Sequence, residues 1–257
     1  MRIVSAAMIG VVTSLFVSTA CAGTYMESVQ SLPATQGKTP AVAKTWLDKG
    51  RYRVDMPNGK VQIFKDRTFF TVDNSKKTYS KMTEADLKAT FAQADAATKA
   101  LRDMLPQKDR EELEKKAAAR AKGNSEYART LKATARTEKT PLGACKVWEA
   151  LVQGQKVQEL CVIPLASVPN STDFVATMKE SDSMMNGTPA AGAMGAGGWS
   201  DLQTTQGFPV ITRMIIPGQG NIESKVMAIR SAPTPDSLFA IPKDYRETKD
   251  MIGGPSL

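Results

Sequence analysis

Histidine is absent from this sequence. That excludes Ser-His-Asp and Cys-His nucleophile systems and the histidine-based zinc sites, because each needs an imidazole to move a proton or hold the metal. Cysteine is scarce, with Cys21, Cys145 and Cys161 the whole complement. These three contain no C-x-x-C spacing of the type redox thiols use, and a structural zinc wants about four ligands, more than two thiols supply. No apolar run reaches the roughly 20 residues of a membrane-spanning helix. The longest, from Ile3 to about Val17, is interrupted by serine and threonine. Acidic residues fall short of basic ones, 26 against 34, leaving a formal charge of +8 and a pI near 9.3. Such a balance favours anionic surfaces such as phospholipid head groups and lipopolysaccharide. Nucleic acid leaves that set once the chain is exported.

The chain opens "MRIVSAAMIGVVTSLFVSTACAG", with one early cation at Arg2, an apolar stretch and then small residues. This is the order of a secretory signal, so residues 1–22 are expected to be a signal peptide and 23–257 a single periplasmic β domain. Ala20 and Ala22 form an A-x-A site that releases a chain beginning at Gly23. The alternative is lipoprotein anchoring through Cys21, but Ser18 stands where such a signal usually carries a large aliphatic residue.

In an oxidising compartment the two remaining thiols are expected to close. The stretch "CKVWEALVQGQKVQELC" reads as two strands around a turn. Cys145 and Cys161 have the same parity, and a three-residue loop Val152-Gln153-Gly154 would set them opposite each other on one sheet face.

Along the rest of the chain, residues 24–81 are strand-like. "RYRVDM" alternates Tyr52, Val54 and Met56 against Arg51, Arg53 and Asp55. "PNG" is a turn, and "KVQIF", "RTFFTV" and "TYSKM" follow as an antiparallel meander whose apolar face needs a cover. Thr83 with Asp86 approximates a capping box. Leu87, Phe91, Ala94, Thr98, Leu101 and Leu105 then recur at helical spacing until Pro106, and a charged helix-favouring stretch follows. Strands resume near Thr130 and run through the cysteine hairpin. A helix is expected from about Asn170 or Ser171, with Phe174, Val175 and Met178 inward. Residues 186–198, "NGTPAAGAMGAGG", read as a low-complexity flexible loop. "FPVITRMII" and "SKVMAIRSA" form a final hairpin.

Chemistry-bearing groupings are few. The carboxylates are scattered, with no pair set in an acid–base motif. Met178, Met184, Met185 and Met194 can bind Cu(I), but they serve better as packing residues. The reading is a non-enzyme with no catalytic residue, metal or cofactor.

In order along the chain, "GKVQIFKDRTFFTVDNSKKTYSKMT", "MLPQKDREELE", "TPLGACKVWEA", "LCVIP", "GFPVITRM", "SKVMAIRS" and "LFAIPKDY" resemble a bacterial periplasmic family of unknown function with a lipoprotein-carrier-like (LolA/LolB-like) fold. The resemblance implies an α+β, mostly β protein: a curved antiparallel sheet forming a half-open barrel, covered by helices. It also implies a concave apolar face that holds acyl chains. On that basis an apolar or amphipathic ligand, a lipid or acyl chain, is expected beneath a helical lid at about 84–122. Leu87, Phe91, Leu101 and Leu105 would line it from the lid, and Tyr52, Val54, Ile63 and Phe70 from the sheet. The same residues can instead form a filled core without a cavity. The rival function is an envelope-stress or assembly protein that binds another envelope protein, and peripheral membrane contact fits either.

Overall fold

Strand β1 (Ala22–Ser31) opens the part of the chain that the structure, a computed structural model, describes: residues 22–31, 41–121, 129–185, 203–216 and 220–248. The expected signal peptide therefore lies outside the described residues except for Ala22, and the 186–198 loop lies wholly outside them. After β1 come β2 (Ala41–Asp48), β3 (Arg51–Asp55), β4 (Lys60–Lys65), β5 (Thr68–Asp73) and β6 (Thr78–Thr83), each antiparallel to the one before. The β2–β3 turn needs positive φ at Lys49 and Gly50, and the β4–β5 turn at Asp66 and Arg67. That left-handed geometry matches the twist of two-residue hairpins.

Helices α1 (Glu84–Asp103) and α2 (Gln107–Ala121) follow, separated around Pro106. The expected capping box is present: the Thr83 hydroxyl accepts from the Asp86 N–H at 3.2 Å, and Asp86 accepts from the Thr83 N–H at 2.9 Å. Next come β7 (Thr130–Thr140), β8 (Gly143–Val152), β9 (Gln155–Pro164), α3 (Ser171–Met185), β10 (Gly207–Ile216), β11 (Gly220–Pro233) and the short β12 (Arg246–Glu247). Among the described residues, all twelve strands join one curved, unclosed sheet in the order β12-β6-β5-β4-β3-β2-β1-β11-β10-β9-β8-β7, and only the β12–β6 pairing is parallel. This is the mostly β, half-open barrel with helices that the sequence leads one to expect. The two meanders are joined by the first strand, since β1 pairs with β2 on one side and β11 on the other.

Around β4 and β5 the sheet is covered on both faces, and register decides which residues go where. On the inner face one row runs Met82, Phe69, Phe64, Tyr52, Leu47 and Thr24 across β6 to β1, and its neighbour runs Ser80, Thr71, Gln62, Val54, Thr45 and Met26. Helix α3 lies over the β2 end of this face. Leu87 at the start of α1 packs with Phe64 and Met184 at the β6 end. The outer face carries Ile63, Val61 and Val72, buried beneath Phe239 in a C-terminal segment that crosses from β11 to β12. Arg53 donates to the Leu238 carbonyl at 2.8 Å, and the Arg51 guanidinium bonds Asp236 at 2.8 Å and lies 4.3 Å over the Phe239 ring. The Tyr245 hydroxyl bonds Asn74 at 3.0 Å.

Cys145 and Cys161 form the expected disulfide, with Cα atoms 5.3 Å apart and both residues buried. The turn differs from expectation. It has two residues, Gln153 and Gly154, both at positive φ, because Val152 pairs directly with Gln155. A register shift between Ala150 and Leu151 leaves Val157 as the extra residue, and Cys161 faces Val147. The cysteines are therefore diagonal neighbours on one face. Same-face parity survives because a bulge supplies the residue that a three-residue loop would have supplied.

Candidate functional site

The hollow that best fits a ligand lies on the inner face under α3. Its floor is Met26, Thr45, Leu47, Tyr52, Val54 and Gln62, its roof Phe174 and Met178, and its closed end Phe208; the volume is about 280 Å3. A larger hollow of about 530 Å3 sits at the β2–β3 turn, lined by Asp48, Lys49, Arg51, Asp66, Thr234, Pro235 and Asp236. There Arg51 is already committed to Asp48 at 3.1 Å and to Asp236, so its charge is satisfied from within. The smaller, apolar groove has the character of small-molecule sites.

Alternation builds the floor, since residues two apart on a strand share a face. The roof is held by polar contacts at the start of α3. The Thr24 hydroxyl donates to the Pro169 carbonyl at 2.6 Å, and the Asn170 side-chain amide donates to the Ala22 carbonyl at 2.9 Å. Asn170, expected near the start of the helix, thus ties α3 to β1, with its own φ at 51°. About two turns further, buried Thr177 accepts from the Gly50 N–H at 2.8 Å and donates to the Asp173 carbonyl at 2.8 Å. Phe174 meets Phe208 edge to face at 5.2 Å. Gly207 makes that possible: a Cβ there would lie 2.5 Å from the Ile163 carbonyl oxygen, so only glycine lets β10 approach β9 this closely.

Tyr52 stacks on Phe64 at 5.4 Å, and burial pushes its phenol up to about 12. Further along the strands the inner face changes character. Glu159 is two residues from Cys161, on the same face, and accepts from Lys156 at 2.9 Å, Arg136 at 3.0 Å and Arg213 at 3.1 Å. Burial alone would raise its carboxyl, but those three cations hold it down at about 2. Arg213 also bonds Glu138 at 2.8 Å and Glu223 at 2.7 Å. The bond to Glu138 leads in raising its guanidinium above the ordinary arginine value, against desolvation. Lys156 reaches Glu149 at 3.5 Å. One network therefore spans five adjacent strands, β7 to β11.

Of the residues expected to line a site, Tyr52 and Val54 lie on the groove floor. Ile63 and Phe70 do not join them. Register puts both on the outer face, Ile63 opposite Arg53 and Phe70, beneath the C-terminal segment. Leu87 is buried at the β6 end of the inner face, beside rather than over the groove. Leu101 and Leu105 are corrected outright as roof residues: they are 67% and 36% exposed, because α1 leaves the sheet after its first turns. The Phe91 side chain lies outside the described residues. Over this groove the helix is α3; of the expected 84–122 lid, Leu87 packs with Phe64 and Met82 beside the groove, while Leu101 and Leu105 stand away from it. Phe174 and Met178 are legible in the sequence as inward-facing, but nothing local marks them as site residues. Thr45, Leu47 and Gln62 escape a sequence reading because Val61 and Ile63, flanking Gln62, carry the apolar signal toward the other face.

Among the described residues no three histidine, cysteine or acidic side chains are placed to hold a metal ion, and no helix is long and apolar enough to cross a membrane. No family model matches the chain, and no curated protein matches its sequence. Solved structures similar to it include an uncharacterized conserved protein from Thermus thermophilus, at 9% identity and a TM-score of 0.45, covering 88% of this chain and 89% of that one. PNGF-II is similar at 11% identity and a TM-score of 0.37, over 88% of this chain and 31% of its own. MucB, solved in complex with MucA(peri), is similar at 8% identity and a TM-score of 0.34, over 88% of this chain and 56% of its own.

Proposed function

We propose that this chain is a non-catalytic, exported binding or carrier protein that holds an apolar or amphipathic ligand, a lipid or acyl chain, in the groove under α3. The observation that carries the reading is the groove itself: an apolar hollow of about 280 Å3 that the described side chains around it leave unfilled. The groove is open to solvent at Gln62, and an apolar cleft of this kind, with Phe174 and Phe208 buried beside it, has the character of small-molecule sites. Its lining offers no acid–base pair, and the acidic residues of the inner face are held in ion pairs. A buried disulfide supports folding outside the reducing cytoplasm.

Native mass spectrometry of the protein after mild purification tests the reading. Co-purified lipid, or saturable binding of a fluorescent fatty probe, supports it, and repeated absence of both sinks it. A second reading, recognition of an envelope protein, is favoured by the exposed Leu101, Met104 and Leu113 along α1, α2 and their connection. It expects a saturable protein crosslink through that segment, abolished when residues 101–113 are deleted.

A further inference from the structure

The lining of the groove is uncharged as well as largely apolar. None of its nine lining residues is a lysine, arginine, aspartate or glutamate. Three of them, Thr45, Tyr52 and Gln62, carry neutral hydrogen-bonding groups, and none of these side chains hydrogen-bonds another described residue. None of the polar atoms of Thr45 and Tyr52 is both buried and unpartnered, and Gln62 is exposed, so these groups meet water in the cleft and can exchange it for a ligand's polar atoms. Register spaces them in an ordered way. Gln62, Val54, Thr45 and Met26 stand directly opposite one another across four strands, with Gln62 exposed and Leu47, Phe174 and Phe208 buried. The hollow thus has a wet mouth at β4 and a dry end at β10. An ionic head held past the mouth, at the half-buried Thr45 and Tyr52, would lose water without gaining a counter-charge from any of the described lining residues, which is unfavourable. Burial already disfavours the charged form of the Tyr52 phenol at the same place.

Resting on the carrier reading, we propose that the groove selects an uncharged single-chain amphiphile, one whose ester, amide or hydroxyl group meets Thr45, Tyr52 and Gln62 while its alkyl chain runs toward Phe174 and Phe208. The free fatty carboxylate and the alkylammonium are rejected. A volume of about 280 Å3 holds on the order of ten heavy atoms at roughly 30 Å3 each, so a chain of medium length fits and a diacyl lipid does not fit whole.

The test is competition against a bound small neutral fluorescent probe, 1-naphthylamine, by three competitors of equal eight-carbon chain: the fatty acid methyl ester, the fatty acid and the alkylamine. All are used below their micelle concentrations at pH 8. The methyl ester should displace the probe at a concentration at least tenfold lower than either ion. Thr45→Val and Tyr52→Phe, each close to isosteric, should narrow that ratio by threefold or more. Equal or better displacement by the carboxylate or the amine overturns the proposal, as does a ratio that neither variant changes. If the probe itself fails to bind, the carrier reading falls first and the selectivity with it, so the two failures are distinguishable.

Discussion

The inner face of the sheet is closed in two chemically different ways. Across β1 to β4 it is roofed by α3, and what lies beneath is apolar and incompletely filled. Across β7 to β11 an apolar core at Cys145, Val147, Cys161 and Ile163 packs with Phe174, and beyond it along the strands charge takes over, Arg213 and Glu159 binding neighbouring strands to one another. The apolar end is closed by a separate element that meets the sheet along one side, so space can remain under it. The ionic end is closed by short bonds between adjacent strands, reinforced by a disulfide two residues away, and none of its charged groups lines the groove. The comparison teaches that a ligand space here depends on where the helix is tethered, while the curvature that frames it depends on the stitched strands.

Removing Phe174 attacks the roofed end most severely. Phe174→Ala deletes a ring only 2% exposed and should cost about 3–5 kcal/mol in chemical denaturation, with probe binding lost. At the ionic end, Glu159→Gln should cost roughly 3 kcal/mol, the worth of holding a carboxyl at about 2 in place of 4.5. The sign follows from the depressed value: Glu159 stabilises the fold fully above the unfolded-state pKa, and that contribution drains away as pH falls toward 2. Urea midpoints measured between pH 5 and 2 should therefore fall less steeply for the variant than for the native chain. Replacing both Cys145 and Cys161 by alanine should also cost about 3 kcal/mol for a loop of this length, with the groove kept and probe affinity little changed. The smallest effect belongs to α1. Leu101→Ala, at a side chain 67% exposed, should stay within about 0.5 kcal/mol and leave probe binding intact; a large loss of either would show that α1 closes over the sheet after all.

Much of this architecture is legible from local chemistry. Alternation in β3, the Thr83–Asp86 capping box, the start of α3 and the cysteine pairing each follow from a few neighbouring residues, and each is present. What is not legible is set by long-range contacts. The apolar seam of α1 has a lid's periodicity, yet Leu87 at its start is the residue that finds the sheet. Nothing in a 3.6-residue repeat says how far a helix stays in contact with its partner. Helix α3 has a plainer pattern but is held by Thr24, Asn170 and Gly50, whose partners lie 127 to 148 residues away. Ile63 and Phe70 mislead for a related reason: when the C-terminal segment buries the second face, apolar alternation no longer tells inside from outside.

A photoactivatable medium-chain acyl probe, crosslinked to the purified protein and mapped by peptide mass spectrometry, tests most directly that the hollow under α3 is where a ligand sits. The adducts should fall on Met26, Leu47, Phe174 or Met178 and be competed away by unlabelled ligand. Adducts confined to Leu101–Leu105 on α1, or none that compete, would contradict the account.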